Sequence, residues 1–479
     1  MEVFFTLLAM IFVAMAMFFG GNFSQTFRKK KLPPGNLGLP LIGESIGFLK
    51  AHKGDKAAAW IEQRIAKFGP VFKTSLMGSK TIVLIGPAAN RFMFNDAAIG
   101  SHQPVGVTQI LGPNNIFELN GERHKIVKSS FMGLLKPDGL RTHVPTMSSI
   151  ICSQIEREFE GKDSVHAVPI MKRLALRLTC ALLFGIADEE WDEDAMVQEF
   201  TDAIRAAWTV PIDFPGTTFR RGLKARAKIG EFFSGLLQRR REKMEGGEVG
   251  EDVVCSMLGV RDGEGKGLSE SEIIDNLVTL MFASHDTTAV VLILTLRQMA
   301  RDEKVHDKIL QEQKKIGREM DGSDGRLTWN ELQKMKYTWT VVQELMRMTP
   351  PVFGNFKKAL KDTTFGGFDI PKGWQVFWVS SGTHLNEKIF QEPQKFEPSR
   401  FEASSKSFPS YTYIPFGAGP RSCPGNEFAR VEILSTIHHL VTKYRWSEMV
   451  PNEPLTHQPL PYPAFGLPIK IETIKNSLQ

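Results

Sequence analysis

The segment Phe416-Gly417-Ala418-Gly419-Pro420-Arg421-Ser422-Cys423-Pro424-Gly425 constrains this chain more than any other stretch. Three glycines within ten residues permit backbone turns closed to other residues and let the main chain approach a planar group closely. A helical pattern follows from about Asn426 to Val441, so Cys423 stands just ahead of a helix. Pro424 suits a first helical position, and the helix dipole with its N–H groups favours a thiolate there. Taken alone, Cys423 reads as a buried structural cysteine in a glycine turn. The intact ten-residue spacing reverses that reading.

The chain has 479 residues, 42% hydrophobic and 23% charged, an ordinary composition for a folded protein whose length suits a single enzyme. A net charge of +6 with no basic stripe interleaved with aromatics argues against nucleic-acid binding. Cys152, Cys180, Cys255 and Cys423 are too scattered for a disulfide framework or a Cys-x-x-Cys zinc site, and fit a reducing compartment. Val3 to Phe19 is apolar except for Thr6, at the short end of what spans a bilayer. Arg28-Lys29-Lys30-Lys31 follows this run and no basic residue precedes it, the reverse of signal-peptide order. The expectation is a retained single-pass transmembrane helix at 1–24 with the remainder in the cytosol. A basic, proline-rich linker at 25–44 contains Pro33-Pro34, which cannot continue a helix. Residues 45–479 then form the functional domain.

Within that domain, Ala57 to Phe68 reads as a helix, and Val71 to Thr74 and Thr81 to Ile85 read as strands set off by Gly78 and Gly86-Pro87. From about 120 to 350 the periodicity is helical, with Arg239 to Gly267 expected as a surface connection. After Pro350 come short strands, turns and coil until the last helix. The fold class is mainly α with a small β portion.

Ser269-Glu270-Ser271-Glu272 forms a capping box that starts a long apolar helix running to about Met299. Its middle carries a polar island, Ser284-His285-Asp286-Thr287-Thr288. Hydroxyls and a carboxylate inside a buried helix are costly unless partnered. Bonded to helix carbonyls, they could open the ladder locally and leave room for a small molecule and water. His285 is expected to pack rather than to move protons. A satisfied polar patch between helices is the plain alternative.

Phe-x-x-Gly-x-Arg-x-Cys-x-Gly resembles the haem-binding signature of the cytochrome P-450 family, matched at Phe416, Gly419, Arg421, Cys423 and Gly425. The resemblance implies the cytochrome P-450 fold, a helical bundle around haem b with a small β domain. It implies Cys423 as axial ligand to the haem iron, pushing electron density through the metal, and Arg421 as partner to a haem propionate. Ala283 to Thr288 is similar to the oxygen-binding motif, so Thr287 would act at the site of oxygen activation and Asp286 would feed protons through water. Ser284 replaces the usual glycine, which puts helix kinking and pocket width in doubt. Glu344-x-x-Arg347 resembles the Glu-x-x-Arg motif, and Arg400 in Phe396 to Phe401 would close a buried structural triad. Where the family carries a Trp-x-x-x-Arg pair over the propionates, His124 and Lys128 stand here. Lys357 occupies a propionate-binding position that is usually Arg.

These features imply a monooxygenase that uses O2 and electrons from NADPH. The chain has no nucleotide-binding glycine fingerprint or flavin domain, so a separate membrane-bound NADPH-cytochrome reductase is the expected partner. A reductase-independent haem-thiolate isomerase or dehydratase, or a non-catalytic haem carrier or sensor, are the alternatives. Phe368 to Trp374, Thr383 to Asn386 and Pro424 to Arg430 resemble the plant clan that oxidises terpenoids and related hormones. Triterpenoids of the amyrin type come first, diterpenoids second, with abscisic acid or brassinosteroid-like hormones as further alternatives. A lipophilic substrate and an endoplasmic-reticulum membrane location follow from the same resemblance. Ser101 to Ile116, Trp208 to Phe219 and Val352 to Phe356 are expected around the substrate, with Gly106, Phe353 and Gly354 as contacts.

Overall fold

The computed structural model describes residues 30–40, 42–187, 191–248, 250–320, 326–403 and 408–474. The expected anchor at 1–24 and the first part of the linker lie outside the described residues.

The helix Glu270–Arg301, 32 residues long, forms the centre of the molecule, and its capping box joins Ser269 and Glu272 as expected. By composition it could cross a membrane, yet protein covers it. Leu277, Val278, Met281, Val290, Leu292 and Ile293 are buried among the helices Ala167–Leu178, Thr218–Glu245, Lys336–Met348 and Asn426–Lys443. An all-round apolar surface explains why no single amphipathic stripe is visible in this stretch.

The principal sheet has five strands in the order Val71–Leu76, Ser79–Leu84, Gln375–Val379, Gly354–Ala359 and Ile99–Ser101. The first two form the hairpin that Gly78 signals, with Val71 opposite Leu84. Ser79–Leu84 then pairs in parallel with Gln375–Val379, nearly 300 residues later. A three-stranded sheet gathers Ser164–His166, Pro468–Thr473 and Tyr444–Glu448. The hairpin of Leu455–His457 and Pro461–Pro463 returns toward the central helix.

Two local expectations are corrected. Helix Thr218–Glu245 runs through Arg239, and a second helix, Val253–Gly259, interrupts the expected surface connection. Asp252 caps it by accepting from the Cys255 N–H, and Val253, Val254 and Met257 are buried. The last helix begins at Asn426 with Gly425 at its cap, so Pro424 lies in the preceding turn rather than at the first helical position.

Candidate active site

The glycines of the cysteine loop are there for backbone geometry. Gly417 and Gly419 have φ of +69° and +64°, and a Cβ on Gly419 would lie 2.9 Å from Asn95 Oδ1. Phe416 packs against the core, and its carbonyl accepts from the Cys423 N–H at 2.9 Å. Cys423 keeps accessible surface although protein atoms surround it, so its sulfur faces an internal gap. Burial pushes the thiol up, while the Gly425 N–H and the Lys128 ammonium favour the thiolate.

Four basic residues converge beside this loop. His124 and Lys128 lie one turn apart on helix Gly121–Leu135, Lys357 is on a sheet strand, and Arg421 is on the loop itself. Burial, then Arg421, Lys128 and Lys357, pushes His124 down to about 4. Burial and Arg421 push Lys357 down to about 8. Lys128 donates to the carbonyls of Pro420 at 2.8 Å and Ser422 at 3.1 Å. Arg421 donates to Ile116 O at 3.2 Å, Leu119 O at 2.6 Å and Asn120 Oδ1 at 2.9 Å. Among the described residues, no Asp or Glu acts on any of the four. Half-buried positive charge without a counter-ion is costly and calls for an anionic occupant. A sulfur facing an internal gap beside such a cluster fits a metal-bearing group with carboxylates, as haem is.

The polar island divides between two sides of the central helix. Thr287 Oγ1 donates to Ala283 O at 2.6 Å, and Ser284 Oγ to Leu280 O at 2.9 Å. These hydroxyls back-bond to their own helix, which stays α-helical throughout; the expected local opening is absent. Ser284 also accepts from Thr179 Oγ1 at 2.8 Å, at the head of a π-helical turn, Thr179–Leu183. The hydroxyl in place of the usual glycine therefore fastens two helices together.

Asp286 points elsewhere, as it must one residue before Thr287 on a helix. Its Oδ1 accepts from the Tyr462 hydroxyl at 2.8 Å and lies 3.0 Å from Lys172 Nζ and 3.4 Å from His285 Nδ1. Burial opposes ionisation of Asp286, but the neighbouring Lys172 ammonium and the Tyr462 hydroxyl favour the carboxylate, and the carboxyl lies below its usual range. His285 is fully buried, and burial pushes it down to about 4, so it packs as a neutral ring.

The triad forms as expected. Glu344 and Arg347 are fully buried, with Arg347 Nε and Nη2 donating to the carboxylate at 2.7 and 2.8 Å. Arg400 Nε reaches Glu344 Oε1 at 3.3 Å, and the Glu397 N–H donates to the same oxygen at 2.9 Å. Arg347 Nη1 donates to His384 O at 2.9 Å, and the His384 ring accepts from the Ile414 N–H at 3.0 Å. Ile414 O in turn accepts from the Gly417 N–H at 3.0 Å. A continuous relay of bonds thus joins the triad to the cysteine loop.

Lys172, Tyr462, Thr179 and His384 were not foreseen. Each is tied to the site by a partner more than a hundred residues away or through another element, so local pattern carries no trace of it; His384 alone lies in a stretch, Thr383 to Asn386, that had drawn notice. Of the expected substrate contacts, a Cβ on Gly106 would meet Ala207 O at 3.1 Å, and one on Gly354 would meet Trp378 O at 2.2 Å. Both glycines serve close packing. Phe353 packs near Phe48 and His52 on the helix Ser45–Lys53.

The cytochrome P450 family profile matches residues 33–475. A taxane 10-beta-hydroxylase of Taxus cuspidata is 38% identical over 92% of this chain and 90% of its own length. A beta-amyrin 28-monooxygenase of Saponaria officinalis is 35% identical over 93% of this chain and 92% of its own. The structure of a retinoic acid-bound cyanobacterial CYP120A1 superposes with a TM-score of 0.84 at 29% identity, covering 93% of this chain and 100% of that one. Sequence agreement of this extent over so similar a fold makes the chain a member of the cytochrome P450 family.

Proposed function

We propose that this protein is a membrane-anchored monooxygenase that inserts one oxygen atom into a polycyclic terpenoid, drawing electrons from NADPH through a separate reductase. The observation that carries this reading is the Cys423 sulfur facing an internal gap beside three cations, Lys128, Lys357 and Arg421, without carboxylate partners. Haem b, the family's cofactor, would be held through the Cys423 sulfur and would supply the iron that activates O2.

Each residue then has a task. Cys423 is the metal ligand, and the turns at Gly419 and Gly425, backed by Phe416, hold its sulfur in place. Lys128, Lys357 and Arg421 would neutralise the propionates, and the neutral His124 would donate a hydrogen bond to one of them. Thr287 Oγ1, its own proton donated to Ala283 O, would accept a hydrogen bond from a water and so hold that water in place for proton delivery. Asp286 lies between the partly exposed Lys172 and the helix interior. A proton arriving at its Oδ1 would come from the solvent side and pass on through water toward Thr287. A haem-thiolate isomerase or a haem carrier would leave this relay without use.

The relatives named above act on a taxane and on beta-amyrin, and a difference of 38% against 35% identity does not separate the two. Triterpenoids remain first and diterpenoids second, ahead of the hormone classes. The test is incubation of the full-length protein with a plant NADPH reductase and a panel containing β-amyrin and a taxane hydrocarbon. Mass spectrometry should find products gained by one oxygen that require both NADPH and O2. A haem-loaded preparation that oxygenates no member, or that acts without NADPH, overturns the reading.

Thr287→Ala should lower product formation roughly 10²-fold while NADPH consumption continues and hydrogen peroxide accumulates. Unchanged coupling of NADPH to product would remove Thr287 from the relay. Deleting residues 1–24 should release the protein from membranes with its haem spectrum intact, as sedimentation would show. Retention in the membrane would transfer the anchoring role to other apolar surface, for which the exposed Val210, Ile212 and Phe214 are candidates.

A further inference from the structure

A second buried carboxylate on the central helix takes no part in this chemistry. Asp275 precedes Thr287 by 12 residues, about 18 Å along the helix axis. It is only 5% exposed. Its Oδ1 accepts from Arg226 Nη2, on helix Thr218–Glu245, at 2.7 Å. Its Oδ2 accepts from the Asn114 N–H at 3.1 Å and from Asn114 Nδ2 at 3.3 Å. The adjacent Asn276 adds a bond to Asn114 O at 2.9 Å. One carboxylate thus ties together the central helix, an outer helix and the connection from Gly112 to Asn120.

That connection is built to be held. Gly112 has φ of +94°, and a Cβ there would lie 1.9 Å from Asp275 Oδ1, so only glycine admits the carboxylate. Asn115 braces the turn, donating to Gly112 O at 2.5 Å and accepting from the Phe117 N–H at 2.9 Å. The far end is gripped by Arg421 through Ile116 O, Leu119 O and Asn120 Oδ1, two residues before Cys423. The near end leads into helix Val105–Leu111, whose Gly106 lies against Ala207 O. Gly222 in turn brings helix Thr218–Glu245 against Ala206. These segments form a packed layer bordering the candidate site.

Charge pairs this deeply placed add little net stability, because desolvation offsets attraction; their best-attested use is to fix register. Arg226 Nε has no hydrogen-bond partner, which marks the pair as incompletely compensated. We infer that Asp275 is a positioning residue: by pinning Gly112–Asn120 to Arg226, it controls how readily the layer opens to bulky apolar ligands. The substrate side of this inference rests on the proposed monooxygenase reading; the clamp itself does not.

The experiment uses haem-loaded, full-length Asp275→Asn, Arg226→Met and the double variant. Hydrogen–deuterium exchange is followed by mass spectrometry, and clotrimazole binding is followed by stopped-flow absorbance of the haem. Each single variant should speed exchange in residues 105–120 selectively. Clotrimazole association and dissociation should both accelerate, roughly tenfold, with little change in Kd. The double variant should match the singles, because both remove the same bond, and Arg226→Lys should recover most of the slow exchange. Parental exchange and rates in haem-replete variants overturn the inference, as do additive effects or exchange rising evenly across the chain. Should Asp275→Asn bind no haem, Arg226→Met decides, since Arg226 lies on the outer helix. Exchange needs no turnover, so a failed terpenoid assay and a failed clamp give different results.

Discussion

The Cys423→Ser protein should lose all measurable oxygenation and the thiolate-type absorption of the carbon monoxide complex while keeping its fold. Serine is close in size, and the bond that shapes the loop, Cys423 N–H to Phe416 O at 2.9 Å, belongs to the main chain. What would disappear is the sulfur that, as the proposed ligand, would supply a soft anionic donor to the haem iron. A hydroxyl in the same place ionises far less readily, and the Gly425 N–H and Lys128 that favour a thiolate cannot compensate. A loss of at least about 10³-fold corresponds to about 4 kcal/mol of barrier. Circular dichroism and thermal unfolding near those of the parent, with porphyrin still bound through His124, Lys128, Lys357 and Arg421, would separate lost chemistry from lost structure. A normal thiolate spectrum in this variant, or oxygenation at the parental rate, would displace Cys423 as the ligand and the proposed function with it.

How much of this was written in the chain depends on the distance over which each feature is decided. The capping box at Ser269 and Glu272, the helix Ala57–Phe68 and the hairpin around Gly78 are set by residues within one turn or one loop, and sequence pattern locates them. The cysteine loop was legible for the same reason: its glycines, arginine and cysteine occupy one continuous stretch. Where the sheet closes was not, because Thr81 meets Gln375 across nearly 300 residues and no periodicity records that pairing. Asp286 shows the same limit at the site. Its place on the helix was evident, but its partners Lys172 and Tyr462 come from a different helix and from the C-terminal hairpin. Gly106 and Gly354, which both lie under neighbouring backbone, show a related limit. A glycine near a pocket and a glycine under a neighbouring backbone look alike until the neighbour is known.

Glu344→Ala should be the most damaging change to stability, by about 3–5 kcal/mol. The carboxylate and the Arg347 guanidinium are both wholly buried, so removal of Glu344 strands a positive charge with no water to solvate it. Two Arg347 N–H groups, the Glu397 N–H and Arg400 would lose their acceptor together. The damage should travel, because Arg347 also holds His384 O and the His384 ring accepts from Ile414 ahead of the cysteine loop. Thermal unfolding should shift down sharply, and haem content should fall with it even though no cofactor contact has been touched. Glu122→Ala provides the contrast: its pair with Lys125 leaves both side chains more than 70% exposed, and its loss should change stability by less than about 0.5 kcal/mol. Lys or Met at Arg347 should reproduce the Glu344→Ala result, since neither restores the forked bonds to Glu344 and to His384 O. An unfolding midpoint for Glu344→Ala within a degree of the parent, with full haem content, would show that the cysteine loop stands without the triad.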